Sequence, residues 1–266
     1  MMKGDLHIHT SYSDGSWSVR ELMVRAKEAG MTHLAITDHD TVDGVNEAVS
    51  IGLSMGITVI PGVEISAVDK RNGKKVHLLG YDFHPQAENI KRVCAPIIRQ
   101  RIEQGNENLA ALNQSGRVLS VDDIAARTEC SGIIYKQHLM AQMVKQGYAE
   151  RMNDPLYEEL FKGNGICNIE IDYVDIFTAV RAVKADGGIA VLAHPGMQDT
   201  LYLVDELVEA GLDGIELEHE TNDEEVRERI RECAAEYGLL LTGGSDTHGD
   251  YGWTQEFGNI ICPATT

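Results

Sequence analysis

Basic side chains are scarce in this chain: 23 lysines and arginines stand against 42 aspartates and glutamates, a formal net charge of −19 over 266 residues. Such a balance repels polyanions over most of a surface, so long nucleic acids and anionic membranes are disfavoured as partners. The five cysteines, Cys94, Cys130, Cys167, Cys233 and Cys262, contain no C-x-x-C pair. An odd, scattered set excludes a disulfide framework and reads as reduced thiols. No apolar run reaches the length of a membrane span, and the opening MMKGDLHIHT has no apolar signal core, so the expected compartment is the cytoplasm. Internal repeats and low-complexity stretches are also missing. With 43% apolar and 24% charged residues the composition is that of a folded globular protein, large enough for one barrel or for one domain with an insertion.

What the chain does have is a rhythm. Short apolar runs alternate with helical patterns: LHIH (6–9), SVRELMVRAKEAG (18–30), HLAITDH (33–39), ITVIPGVEIS (57–66), KKVHLLGYDF (74–83), then GGIAVLAHP (187–195), LDGIELEHE (212–220) and LLLTGGSDTHG (239–249). Strand–helix alternation predicts parallel strands with helices outside, an α/β barrel whose strand C-termini share one face. Between the halves, residues 86–180 carry long amphipathic stretches and few β-type runs. They are expected to form a mostly helical insertion capping that face, with the barrel made of 1–85 and 181–266.

Histidines and carboxylates gather where those strands end. On an extended DLHIHTSYSDGS, His7 and His9 project to one side while Leu6 and Ile8 project to the other. Asp14 sits in the Ser/Asp/Gly-rich loop that follows. The other strand-end candidates are Asp38, His39, Asp40, Glu64, His77, His194, Asp246 and His248. Each alone admits a plain explanation: His77 as a core histidine, Glu64 as a solvated strand residue, the Asp-His pairs as turn or cap chemistry. Together, imidazole and carboxylate donors on one face suit Zn, Mn or Fe, and Mg as well. Several ions sharing bridging carboxylates would support hydrolysis at phosphorus.

The ordered set DLHIHTSYSDG, ITDHDT, PGVEIS, VHLLGY, LAHPG and GGSDTHG resembles the PHP (polymerase and histidinol phosphatase) family, over residues 3–85 and 187–262. The resemblance implies a distorted (β/α)7 barrel and a metal-dependent phosphoesterase, similar to the small stand-alone members acting on nucleoside 3′,5′-bisphosphates or cyclic phosphates. It implies three divalent ions, with Mn the first choice and Fe, Zn or Mg the alternatives. His7, His9 and Asp246 would hold one ion, and Glu64 would bridge it to a second on His77 and His194. Asp14, His39 and His248 would hold the third. A metal-bound hydroxide would be the nucleophile.

Two further stretches bear on substrate. Lys136 and His138, in YKQHL, resemble an R-P-H of the nucleotide-acting members that opens a helix in the insertion, where a basic pair and the helix N-terminus suit a phosphate. Here Lys replaces Arg and Gln137 replaces Pro; the alternative is a solvated helix start. His219, in GIELEHETN, matches a strand-end histidine that would contact a phosphate oxygen or protonate the leaving group. A surface histidine is its alternative, and Asn222 stands where relatives carry a further histidine. These departures lean toward a non-standard or cyclic substrate. The expected partner is a small phosphorylated metabolite. Histidinol-phosphate phosphatase is the next enzyme reading, and a non-catalytic metal or nucleotide sensor the reading from another class.

Overall fold

The computed structural model describes residues 3–252 and 257–263. Eight strands and ten α-helices follow one another along these residues. The first half runs β1 (Gly4–Asp5), α1 (Val19–Glu28), β2 (His33–Ile36), α2 (Val45–Met55), β3 (Thr58–Asp69) and β4 (Lys74–Tyr81). Four helices follow, α3 (Glu88–Gln114), α4 (Val121–Arg127), α5 (Lys136–Lys145) and α6 (Pro155–Phe161). The second half is β5 (Val174–Asp175), α7 (Ile176–Ala185), β6 (Ile189–Leu192), α8 (Pro195–Gln198), α9 (Val204–Ala210), β7 (Gly214–Glu218), α10 (Glu224–Tyr237) and β8 (Leu240–Gly243).

Seven strands form one path, β1-β2-β3-β4-β6-β7-β8, with β5 paired to β3. The path closes on itself: the Leu6 N–H donates to the Gly243 carbonyl at 3.1 Å, and Ile8 bridges Thr247 in parallel. The result is a distorted (β/α)7 barrel. Leu79, Tyr81, Val191 and Ala35 plug its interior. The helices pack outside on two apolar clusters, one under α1 and α2 and one under α7, α9 and α10.

One strand departs from the parallel expectation. Only residues 70–73 separate β3 from β4, whereas a parallel crossover needs about a dozen residues or more. Gly73 takes up a positive φ of 76° there and its N–H returns to the Asp69 carbonyl. Thus β4 runs antiparallel to both β3 and β6. Its first residues, not its last, therefore reach the face where the other strands end. That is why His77 lies three residues into its strand rather than after it.

Residues 109–167 contribute an apolar cluster of their own, centred on Leu112, Leu139, Met143 and Phe161. The N-terminal turns of α3 pack instead against the barrel helices through Ile90 and Cys94. Between them, Arg101 of α3 clamps the two parts. Its guanidinium donates to Asp40 Oδ2 at 3.0 and 2.9 Å and to Ser66 Oγ at 2.8 Å, under the rings of Tyr135 and Tyr173. Replacing Arg101 by Ala would strand a buried Asp40 carboxylate, at an expected cost of about 3–5 kcal/mol in denaturant unfolding. A stability loss under 1 kcal/mol would refute the clamp.

Candidate metal centre

The end of β1, its following loop and the end of β8 are stitched together first. The His9 N–H donates to the Thr247 carbonyl and the Asp246 N–H to the His7 carbonyl, at 3.0 and 2.9 Å. A Cβ on Gly244 would run into the His7 backbone nitrogen and Cβ, so only glycine lets β8 approach this closely. Asp38 secures the loop after His9, accepting from Thr10 N, Thr10 Oγ1 and Ser13 Oγ at 2.6–2.7 Å. Thus Asp38 holds a loop and Asp40 holds Arg101, leaving neither turned to the cluster of imidazoles. Asp40, His194 and Asp246 adopt positive φ angles of 58°, 21° and 52°. Such uncommon backbone conformations concentrate at functional sites.

At the centre is the carboxylate of Glu64, fully buried and surrounded by imidazoles. Its Oε1 lies 2.7 Å from His77 Nδ1 and 3.0 Å from His194 Nε2. Its Oε2 lies 3.3, 3.2 and 3.2 Å from His7 Nε2, His9 Nε2 and His39 Nδ1. Asp246 Oδ1 sits 3.4 Å from His7 Nε2 and 3.0 Å from His9 Nε2. On the other side Asp14 Oδ2 lies 3.4 Å from His248 Nε2 and 3.8 Å from His39 Nε2, with His9 Nδ1 3.7 Å from Oδ1. Three overlapping groups each offer donor atoms within 4.8 Å of one another: His7, His9, Glu64 and Asp246; His9, Asp14, His39 and His248; and His39, Glu64 and His77. His194 falls outside these groups but shares Glu64 Oε1 with His77.

The donor set fits divalent ions. Buried nitrogens His7 Nε2, both ring nitrogens of His9 and His39 Nδ1 lack a well-formed hydrogen bond. Leaving so many buried donor atoms unpaired is costly unless something else fills their lone pairs. Without ions, protons take that place on His7 and His9. Burial pushes the Glu64, Asp14 and Asp246 carboxyls up, but the imidazoles around each more than reverse this and hold them well below their usual range. Burial pulls His9 down, yet the Asp246, Glu64 and Asp14 carboxylates packed beside it raise it to about 10. His39, under the same burial, goes well below its usual value.

The residues nominated for substrate are placed less simply. His219 is buried rather than on the surface, with Nδ1 2.8 Å from Thr221 Oγ1 and Nε2 3.4 Å from Asp246 Oδ2. His138 is buried too, but its Nδ1 accepts the Tyr135 N–H and burial lowers it to about 4, so it is a neutral cap of α5. Lys136 does not reach the metal-side pocket; its neighbour Gln137 does, with Met140, Met152 and Tyr251. The cavity there is about 150 Å³. Asn222 is an internal clip: it accepts the Gly196 N–H and donates to the Glu216 and Leu217 carbonyls, fixing the loop of His194 against β7. At this position the side chain serves packing.

One functional residue was missed from sequence. Glu216, fully buried in β7, takes His7 Nδ1 at 3.0 Å and the His194 N–H at 2.8 Å. By holding one nitrogen of His7 it leaves Nε2 facing Glu64 and Asp246, the outer-shell role that fixes a ligand's tautomer. The available signal was a carboxylate inside the apolar run GIELE. Glu216→Gln is expected to weaken metal affinity about 10–100-fold while the fold persists. Metal titration followed by circular dichroism checks it, and unaltered affinity would remove the assignment.

A (β/α)7 barrel whose rim crowds imidazoles and carboxylates beneath a helical cover defines a metal-dependent hydrolase of phosphate esters. The chain belongs to the PHP domain family, which matches residues 5–238. A phosphoribosyl 1,2-cyclic phosphate 1,2-diphosphodiesterase from Eggerthella lenta is 40% identical over 93% of this chain and 95% of its own. A 5′-3′ exoribonuclease from Haemophilus influenzae is 30% identical over 95% of this chain and 92% of its own. A solved structure from Bifidobacterium adolescentis, described as an inferred metal-dependent phosphoesterase, superposes with a TM-score of 0.89 at 30% identity, covering 99% of this chain and 93% of that one. No helix among the described residues is long and apolar enough to cross a membrane.

Proposed function

We propose that the protein opens the cyclic phosphodiester of a small phosphorylated sugar and then hydrolyses the resulting monoester in the same site. The observation that carries this reading is the narrow cavity of about 150 Å³ lined by His39, Glu64, His77, His194, Asp246 and His248. A cavity of this size suits one small ester group. The 40% identity to the Eggerthella cyclic phosphodiesterase supports the choice. Attack on an oligonucleotide, the alternative raised by the exoribonuclease relative, is disfavoured by the net charge of −19.

His7, His9 and Asp246 would hold one ion, His77 and His194 a second, and Asp14, His39 and His248 a third, with Glu64 shared between the first two. Mn is the proposed occupant. Bound divalent ions supply an activated water and neutralise charge on the leaving oxygen. The protein's own groups do the rest. Glu216 orients His7, Asp38 fixes the His9 loop, and His219, with Nε2 3.4 Å from Asp246 Oδ2, is the proposed proton donor to the leaving oxygen. The block 86–180 is the proposed cap, excluding bulk water through Met140, Met152 and Tyr157. A sensor without activity is the weaker reading, because every donor position of the family pattern is filled.

The test is phosphate release by Mn-loaded protein from 5-phosphoribosyl 1,2-cyclic phosphate, a nucleoside 3′,5′-bisphosphate, 5′-phosphorylated RNA and histidinol phosphate. Fastest turnover is expected on the cyclic ester, with two products in sequence. Preference for RNA or histidinol phosphate would overturn the proposed substrate class.

A further inference from the structure

The loop that follows β6 carries more than the ligand candidate His194. It opens on His194 and closes on Asp199, both with positive φ, 21° and 49°, and α8 lies between them. Non-glycine residues persist in such conformations where surrounding contacts fix them, and here both ends of the loop are tied. At its start the His194 N–H donates to Glu216 Oε2 and the Gly196 N–H to Asn222 Oδ1, at 2.8 and 2.9 Å. At its end Lys74, the first residue of β4, donates to the Asp199 carbonyl and to Asp199 Oδ2, both at 2.7 Å. Tyr202, just beyond, donates its hydroxyl to Asp69 Oδ2 at 3.0 Å, where β3 turns into β4.

Gln198, the last residue of α8, turns back to His77. In a regular antiparallel ladder two opposite residues exchange both of their backbone hydrogen bonds. The pairing of β4 with β6 runs from Tyr81 and Ile189 to Leu78 and Leu192, and the next step begins in the same way, with the Ala193 N–H donating to the His77 carbonyl at 3.1 Å. The return donor, the His77 N–H, goes instead to Gln198 Oε1 at 2.9 Å, since the chain beyond Ala193 turns away at His194. Gln198 thus supplies the acceptor that a longer β6 would have supplied. His77 is the imidazole most in need of it: its side chain is 22% exposed, against 12% or less for the other four around Glu64, so packing confines it least. His77 Nδ1 and His194 Nε2 meet on the same oxygen, Glu64 Oε1. One short loop therefore fixes both, His194 directly and His77 through Gln198.

We propose that Gln198 is a positioning residue for the ion assigned to His77 and His194, so that the loop from His194 to Asp199 sets the occupancy of that ion separately from the other two. This rests on the ligand assignment made under the functional reading above and adds to it a residue that acts through His77. Partners that orient a ligand in this way typically change metal affinity about 10–100-fold when removed.

The experiment titrates Mn calorimetrically into the stripped protein and counts bound ions by metal analysis, in wild type, Gln198→Met, Gln198→Glu and, to identify the ion concerned, His77→Ala. Methionine keeps the length of the side chain and removes the acceptor. Gln198→Met is expected to weaken one ion about 10–100-fold, the same ion that His77→Ala loses, and to leave the others unaltered. Gln198→Glu keeps an oxygen acceptor for the His77 N–H and should retain that ion. Stripped Gln198→Met should melt within about 4 °C of stripped wild type, as expected for one hydrogen bond in a chain of this size. Unchanged binding in Gln198→Met beside a lost ion in His77→Ala would overturn the role of Gln198 and leave the ligand assignment standing. No ion lost in His77→Ala would remove His77 from the ligands and the proposal with it. Weakening of every ion together, with early melting of the stripped variant, would show a general structural part for Gln198 and overturn the proposal as well.

Discussion

Glu64→Gln is expected to reduce phosphoester hydrolysis by on the order of a thousandfold, equivalent to about 4 kcal/mol of barrier. The reason lies in how many groups share this carboxylate. Five imidazoles, on His7, His9, His39, His77 and His194, approach its two oxygens within 2.7–3.3 Å. Glutamine keeps the shape but removes the charge and one acceptor oxygen. If Glu64 is shared between ions as proposed, the lost charge would weaken its hold on both, and Lewis-acid chemistry depends on such placement. Metal analysis should fall below the wild-type content in parallel. Activity within tenfold of wild type, with full metal content, would remove Glu64 from the centre.

Stripping the ions is expected to abolish activity and to lower the melting temperature by about 10 °C or more. Each ion held at a thousandfold excess over its Kd contributes about 4 kcal/mol to the native state, and a domain of this size shifts by about 2–4 °C per kcal/mol. The pH dependence has a definite sign. In the metal-free protein His9 is raised from 6.5 to about 10, so the stability it contributes is complete below pH 6.5 and is lost as pH rises toward 10. Asp14, Glu64 and Asp246 are lowered, so their contribution is present above their ordinary values and lost as pH falls through the lowered ones. Ions, by contrast, displace the His9 proton and bind more tightly as pH rises. The gap in melting temperature between loaded and stripped protein should therefore widen from pH 6.5 to 9. A gap that narrows would show that protons and ions do not compete for these nitrogens.

Much of this was legible in the sequence because strand-end chemistry is local. DLHIHTSYSDG, PGVEIS and GGSDTHG each carry donors at spacings that a strand and its loop translate directly into position. The barrel itself followed from the alternation of apolar runs with amphipathic helices. The direction of β4 was harder to see: the short link after Asp69 signalled a tight turn, but the repeating pattern around it argued for parallel strands. Glu216 and Arg101 act through partners 209 and 61 positions away, and no local pattern encodes such pairings. Lys136 and His138 could not be separated by sequence: Lys136 lines a cavity away from the imidazoles, whereas His138 is buried and caps α5.

The stitch between the two edges of the barrel also sets a timetable for biosynthesis. Asp5 accepts the Ser245 N–H across 240 positions, and Asp246 and His248 arrive from that same late segment. A ribosome-bound chain that has made only β1 to β7 thus carries His7, His9 and Glu64 without Asp246, the second carboxylate beside both imidazoles. The group that includes Asp246 is completed only by the slow long-range closure of β1 against β8. Metal supply would then govern how active the protein is and, through the stability the ions add, how much of it stays folded.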